Sequence, residues 1–391
     1  MTTNIHESFL RLVRLGIGHT ESTEITDNVD WVALKALADN QGLNAVVLDG
    51  IDRLQLNNLV AYELSLQMKL EWIGEVLQNY EQRYKQYEQA IGSLAGFYNQ
   101  HGFKMMVLKG YACSLDWPMP NHRPCGDIDI WLFGQQQEAD KALEAWFKVQ
   151  GSKFKIDGSH HHHTVFDWQG FTVENHYDFV NVHAHKSSKE LEVIFKELGD
   201  ISNVNDNDNN QELQNSRIIS TSKGTNITNV LVNGEKVYLP SANLHALFLI
   251  KHMVSHFAAA EITLRQVLDW AFFVEKHTKK IDWKWLDELL VKFHMKDFYN
   301  CINAICVGDL GFDVKIFPSV QFDPNLKDNV LADILSPEWT TAEPRGFFKR
   351  MAYKYRRWQG NAWKQELCYP ESRLESFFTG LWSHIITPKG V

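Results

Sequence analysis

Lys104-Met105-Met106-Val107-Leu108-Lys109-Gly110 and, past a proline-rich loop, Arg123-Pro124-Cys125-Gly126-Asp127-Ile128-Asp129-Ile130 are the stretches on which the fold turns. The first reads as a short buried strand ended by glycine, the second as a strand that opens in strict polar–apolar alternation. On a strand, residues two apart share a face, so Asp127 and Asp129 project together while Ile128 and Ile130 enter the core. Residues 111–115 suit a helical turn between them. Downstream, residues 135–150 place Ala139, Leu143, Trp146 and Phe147 on one side of an amphipathic helix. Residues 160–168 and 171–179 then read as two strands joined at Gln169-Gly170, a hairpin signal. The order strand, helix, strand, helix, strand, strand over residues 103–185 describes a small α/β or α+β module.

Outward from this module the chain becomes helical on both sides. Residues 1–100 carry apolar stripes (Phe9, Leu10, Leu12, Val13, Leu15; then Trp31, Leu34, Leu37, Ala38 after an expected cap at Asp27-Asn28). Residues 59–100 hold no proline and predict one or two long helices. Residues 201–236 are Asn/Asp-rich at their start and read as a loop insertion. From Pro240 onward, Ser241 caps a run of strongly apolar helices. The expected organisation is an N-terminal helical region over 1–100, an α/β core over 101–200, the Asn-rich loop over 201–236 and a C-terminal helical domain over 237–391. The fold class is α+β: a small mixed sheet between two sets of helices.

The 391 residues carry 39 Lys+Arg against 48 Asp+Glu, so the chain is mildly acidic and unsuited to coating nucleic acid over its whole surface. Cys113, Cys125, Cys301, Cys306 and Cys368 form no CxxC pair, as expected of a reducing cytosol rather than a disulfide framework. Glu7, Arg11 and Arg14 interrupt the N-terminus where a signal peptide needs an apolar core. No apolar run approaches the ~18 residues that span a bilayer; the best one stops at Lys251. A cytoplasmic protein without a membrane partner is expected.

Two carboxylates on one rigid face suit a hard divalent cation such as Mg²⁺, which prefers oxygen ligands. A third from a neighbouring strand would complete a two-metal site with ions ~4 Å apart around a phosphoryl group. Glu174, in the alternating run 171–176, is the first candidate and Asp167 the reserve.

The combination resembles the DNA polymerase β-like nucleotidyltransferase superfamily. More closely, it is similar to the uncharacterised nucleotidyltransferase family found in bacterial genomes. The resemblance rests on Leu108-Lys109-Gly110, on Arg123 followed by Gly126-Asp127-Ile128-Asp129-Ile130, on Glu174 two before His176, and on a His-rich helix from His245 to His256. It covers roughly residues 100–275. It implies Mg²⁺-dependent transfer of a nucleoside monophosphate from an NTP to an acceptor, with Asp127, Asp129 and Glu174 as catalytic metal ligands, or Glu174 as a base. Lys109, Gly110, Arg123 and Gly126 would line the nucleotide site. The superfamily's Gly-Ser or Gly-Gly is replaced here by Gly110-Tyr111, so Lys109 or Arg123 is expected to neutralise phosphate, arginine by a bidentate grip. His176 reads as a hydrogen-bonded side chain or a substrate contact.

A second constellation is His245, His252, His256 and Asp269, with Arg265 nearby. His252 and His256 share a helical face. HMVSH lacks the glutamate a zinc peptidase needs, and the tandem His-Asp of a phosphohydrolase is absent. The expectation is that these histidines pack between two helices and that Arg265 pairs with Asp269 four residues on. His256 and Arg265 facing the cleft to hold substrate is a middle reading. Residues 160–163, all histidine, read as a polar edge, residues 203–210 as a solvated loop, and the basic-aromatic run 345–357 as a solvated helix face. A nucleotide- or partner-binding protein that has lost turnover is the alternative; a His/Asp metal-dependent phosphohydrolase is a third.

Overall fold

The computed structural model describes residues 2–20, 29–56, 64–151, 154–160, 162–183, 185–200, 218–220, 226–318, 321–340, 344–372 and 375. The architecture is mixed α+β, as the sequence predicts. Five helices come first: α1 (Thr2–Ile17), α2 (Trp31–Gln41), α3 (Asn44–Leu56), α4 (Leu66–Val76) and α5 (Arg83–Gln100). A π-helical stretch, Leu77–Gln82, joins α4 to α5, so the chain expected to be one or two long helices is continuous with one widened turn. The expected cap at Asp27-Asn28 lies outside the described residues; Asp30 caps α2 by accepting from the Ala33 N–H.

The core module follows: β1 (Met106–Val107), α6 (Tyr111–Ser114), β2 (Ile128–Trp131), α7 (Gln136–Val149), β3 (His163–Trp168), β4 (Phe171–His176) and α8 (Lys186–Gly199). The hairpin sits where its glycine predicts, with positive φ at Gln169 (54°) and Gly170 (80°). One expectation fails. Residues 201–236 are not simply a loop insertion: β5 (Ile218–Ser220), β6 (Asn226–Val232) and β7 (Glu235–Leu239) extend the sheet. Residues 201–217 and 221–225, with the solvated stretch 203–210, lie outside the described residues. The overlooked signal was Asn233-Gly234, whose φ values of 49° and 84° make the tight turn that pairs β6 with β7.

Among the described residues, seven strands form one mixed sheet in the order β3-β4-β2-β1-β7-β6-β5. Strands β2 and β4 are parallel, while β1–β2 and β3–β4 are antiparallel. One face is closed: Val107, Ile128, Ile130, Val173 and Val237 pack with residues of α5 and α7 in one apolar cluster. On the opposite side lie α9 (Ala242–Ala259) and α10 (Leu264–His277), against which the later helices pack: α11 (Trp283–Lys292), α12 (Lys296–Gly308), α13 (Pro324–Leu335), α14 (Phe347–Gly360) and α15 (Ala362–Cys368). A second cluster there runs from Phe9 to Tyr369, so N-terminal and C-terminal helices share a single core. No helix among the described residues is long and apolar enough to cross a membrane.

Candidate active site

Strand alternation and register place the carboxylates. Asp129 on β2 pairs directly with Glu174 on parallel β4, and Trp131 with His176. Because opposed residues on paired strands share a face, Asp129, Glu174 and His176 stand together, with Asp127 two residues before Asp129. Gly110 closes this corner. Its φ of 56° disfavours a side chain, and a Cβ there would come 2.6 Å from the Tyr87 hydroxyl, which itself donates to the Asp127 carbonyl at 2.8 Å. The Tyr111 side chain turns away to donate to Glu88 at 3.1 Å, so the Gly110-Tyr111 pair costs the site no space.

Asp129 is buried, 3% exposed, yet strongly partnered. Lys109 Nζ lies 2.9 Å and His176 Nε2 3.2 Å from its Oδ1. Burial alone would raise the Asp129 pKa; the Lys109 ammonium and the His176 hydrogen bond overcome it and hold the carboxyl well below the usual range. Asp127 moves the other way, raised by burial and then by repulsion from Glu174 and Asp129. Lys109 and His176 are both raised: burial opposes their charge, and Asp129 and Glu174 prevail. His176 also reaches Glu174 Oε2 at 3.5 Å, while its Nδ1 faces the Asp178 carbonyl at 3.2 Å.

These groups form one wall of a cavity of about 580 Å³, within the range of small-molecule sites. Lys109, Gly110, Arg123, Gly126, Asp127, Asp129, Glu174 and His176 line it from the sheet side, and Lys251, His252, His256 and Arg265 from α9 and α10. Desolvation lowers His256 to about 4 and holds His252 well below its ordinary value, so both imidazoles are neutral bases at pH 7. Lys251, read in sequence only as the charge that ends an apolar run, is 4% exposed and lies 4.4 Å over the Tyr369 ring. A lone charge inside an apolar helix was the available signal. Asp167 is exposed and its Oδ1 accepts from the Gly170 N–H at the hairpin; it is not among the lining residues.

The Arg265–Asp269 pair does not form. Asp269 instead binds Arg123 in a fork, Nε to Oδ1 at 2.7 Å and Nη2 to Oδ2 at 2.9 Å, and accepts from Trp117 Nε1 at 2.9 Å. Helical spacing lets residues four apart meet, but the buried Arg123 guanidinium brought in by the loop takes both oxygens of the buried Asp269 carboxylate instead. The bidentate grip expected of Arg123 on phosphate is therefore taken by Asp269. Arg265 is left with no hydrogen bond or ion pair to a described residue, its pKa lowered by burial and by Arg123. With both Asp269 oxygens engaged, and no described metal-ligand cluster joining it to His252 and His256, the His/Asp phosphohydrolase set is not assembled. His245 is buried instead against Cys113 and Phe273.

Residues 27–307 match the profile of a family described as uncharacterised nucleotidyltransferase. The chain belongs to that family. The matched span contains the whole sheet and both cavity-lining helices of this nucleotidyltransferase-family chain. No curated protein and no solved structure matches it.

Proposed function

We propose that the protein transfers a nucleoside monophosphate from an NTP to an acceptor hydroxyl with the help of Mg²⁺. The observation that carries this is the register that brings Asp129 and Glu174 side by side, with Asp127 adjacent, at the floor of a cavity whose far wall is basic. The donor set suits a hard cation. Three carboxylates converge beside the Lys109 ammonium, and burial first and then repulsion from Glu174 and Asp129 raise the Asp127 pKa. Asp127, Asp129 and Glu174 would hold Mg²⁺, which when bound supplies charge neutralisation for a reacting phosphate.

The chain's own residues account for the rest. His176, anchored through Nδ1 at the Asp178 carbonyl, orients Asp129 and Glu174. Lys109 balances the buried Asp129 charge until a nucleotide complex forms. Arg265, which lines the cavity with no ion pair to a described residue, is the cation placed to take a phosphate group, with Lys251 also lining it. In the transfer the acceptor oxygen bonds to the α-phosphorus, the bond to the bridging oxygen of pyrophosphate breaks, and the hydroxyl proton passes to a carboxylate, Glu174, half-buried on the cavity wall opposite Asp129, being the candidate.

Calorimetric titration of each NTP with Mg²⁺ into wild type and the Asp127→Asn/Asp129→Asn protein tests this. Metal-dependent binding lost in the double variant is the expected result; absence of binding for every NTP in wild type would sink it. One observation favours a binding protein without turnover: Asp129 Oδ1 already has both Lys109 and His176 as partners. That reading expects NTP binding with no pyrophosphate release for any acceptor.

A further inference from the structure

Beside the carboxylates the fold gathers two imidazoles that the transfer reaction does not use, His162 and His163, next to His176, which it does. His163 opens β3 directly opposite His176 on β4, and His162 precedes it. Ring centroids lie 4.3 Å apart for His162 and His163, 5.5 Å for His162 and His176, and 5.2 Å for His163 and His176. One ring nitrogen from each of the three comes within 4.8 Å of the others. Nδ1 of His162 and Nδ1 of His163 are both shut off from solvent and have no hydrogen-bond partner among the described residues.

Buried ring nitrogens ordinarily find partners, because desolvating one without a replacement contact is unfavourable. Two orphans in one cluster, beside a third imidazole, call for something that accepts lone pairs. His176 sharpens the case. Its Nδ1 faces a carbonyl and its Nε2 faces carboxylate oxygens. Nε2 donates its proton toward Asp129 and Glu174, and a cation at Nε2 would take the place of that proton between the imidazole and the carboxylates. A backbone acceptor on one nitrogen and a metal on the other is the usual state of a ligating histidine.

We propose that His162, His163 and His176 form a site for a borderline transition-metal ion of the Zn²⁺ class. Three imidazoles with an open fourth position match zinc, which would displace the Nε2 proton of His176, whereas the oxygen set next door matches Mg²⁺. Zinc–nitrogen bonds of ~2.0–2.1 Å put tetrahedral ligand atoms ~3.4 Å apart, so the present spread of up to 4.8 Å would have to close by about 1.4 Å on binding. His160 stacks on His163 at 4.7 Å but lies outside the three-nitrogen set, which makes it the internal control for loose chelation by a histidine run. The site stands on His162 and His163 and does not depend on nucleotidyl transfer.

The test uses the full chain without an affinity tag, stripped of metal, then titrated with Zn²⁺ in excess Mg²⁺ and separately loaded with Co²⁺ for its visible absorption. Expected are one Zn²⁺ per chain and the intense Co²⁺ bands of a four-coordinate site. His162→Ala/His163→Ala should weaken Zn²⁺ binding at least ~100-fold, more than loss of an outer-shell partner does. His162→Ala alone, at a half-buried position, serves if the double variant fails to fold. His160→Ala should bind as wild type does. Zinc retained in Asp127→Asn after nucleotide binding is lost would support an independent site. Equal Zn²⁺ affinity in wild type and His162→Ala/His163→Ala, equal loss in His160→Ala, or no stoichiometric Zn²⁺ in wild type would overturn it.

Discussion

Two constellations of charge are buried in this chain, and they are balanced differently. Around Asp269 one carboxylate meets one guanidinium in a fork, and Trp117 adds a further donor to its Oδ1. Around Asp129 three carboxylates face the single ammonium of Lys109, on the wall of an open cavity. The first is closed and self-sufficient, so it organises the loop that carries Arg123 against α10. The second keeps surplus negative charge where a ligand can reach it. Burial alone does not mark a functional charge; unbalanced burial beside a cavity does.

Four substitutions or conditions press on that contrast. Asp129→Asn should reduce pyrophosphate release by ~10³-fold or more while leaving the thermal midpoint within about 4 °C, measured by a coupled pyrophosphate assay and calorimetry. Asp269→Ala should do the reverse. Leaving Arg123 buried and unpaired costs about 3–5 kcal/mol by chemical denaturation, and Arg123→Met/Asp269→Leu should recover most of it. If Asp129→Asn unfolds the chain while Asp269→Ala leaves stability untouched, the two roles have been exchanged.

His245, on the closed side, sharpens the contrast by pH. Burial lowers its pKa to about 4, below the ordinary value of 6.5. The unfolded chain therefore takes up a proton first as pH falls. Stability from this group is complete above about pH 6.5 and declines between there and pH 4, by on the order of 3 kcal/mol. His245→Phe should flatten the denaturation midpoint over that interval; an unchanged slope would remove His245 from the account. The smallest effect is expected from Arg265→Ala. It should weaken NTP binding about 10-fold, with little change in stability, because the side chain forms no ion pair with a described residue.

Local patterns in the chain were legible wherever chemistry and period coincided. Asp127 and Asp129 declare a shared face by their spacing, and Gln169-Gly170 declares a hairpin, because both depend on neighbours in sequence. The strands β6 and β7 were equally local, yet the asparagines around residues 203–210 masked the Asn233-Gly234 turn that joins them. Glu174 was nameable as the third carboxylate only as a candidate; its place opposite Asp129 is a matter of strand pairing. The Arg123–Asp269 fork spans 146 positions and was invisible to any spacing rule, which offered Arg265 instead.

The sequence by itself determined the mixed α+β class, the LKG and GDIDI strands that carry the resemblance, and the residue types able to meet a metal or a phosphate. Those are consequences of period two, period 3.6 and side-chain chemistry, which act over a few residues. Only the tertiary structure decided which charges cancel. It matched Arg123 with Asp269, left Arg265 and the sheet carboxylates facing one cavity, and brought His162, His163 and His176 together. Charge balance in a low-dielectric interior depends on every group within a few ångströms, whatever its distance along the chain, and that neighbourhood exists only after folding.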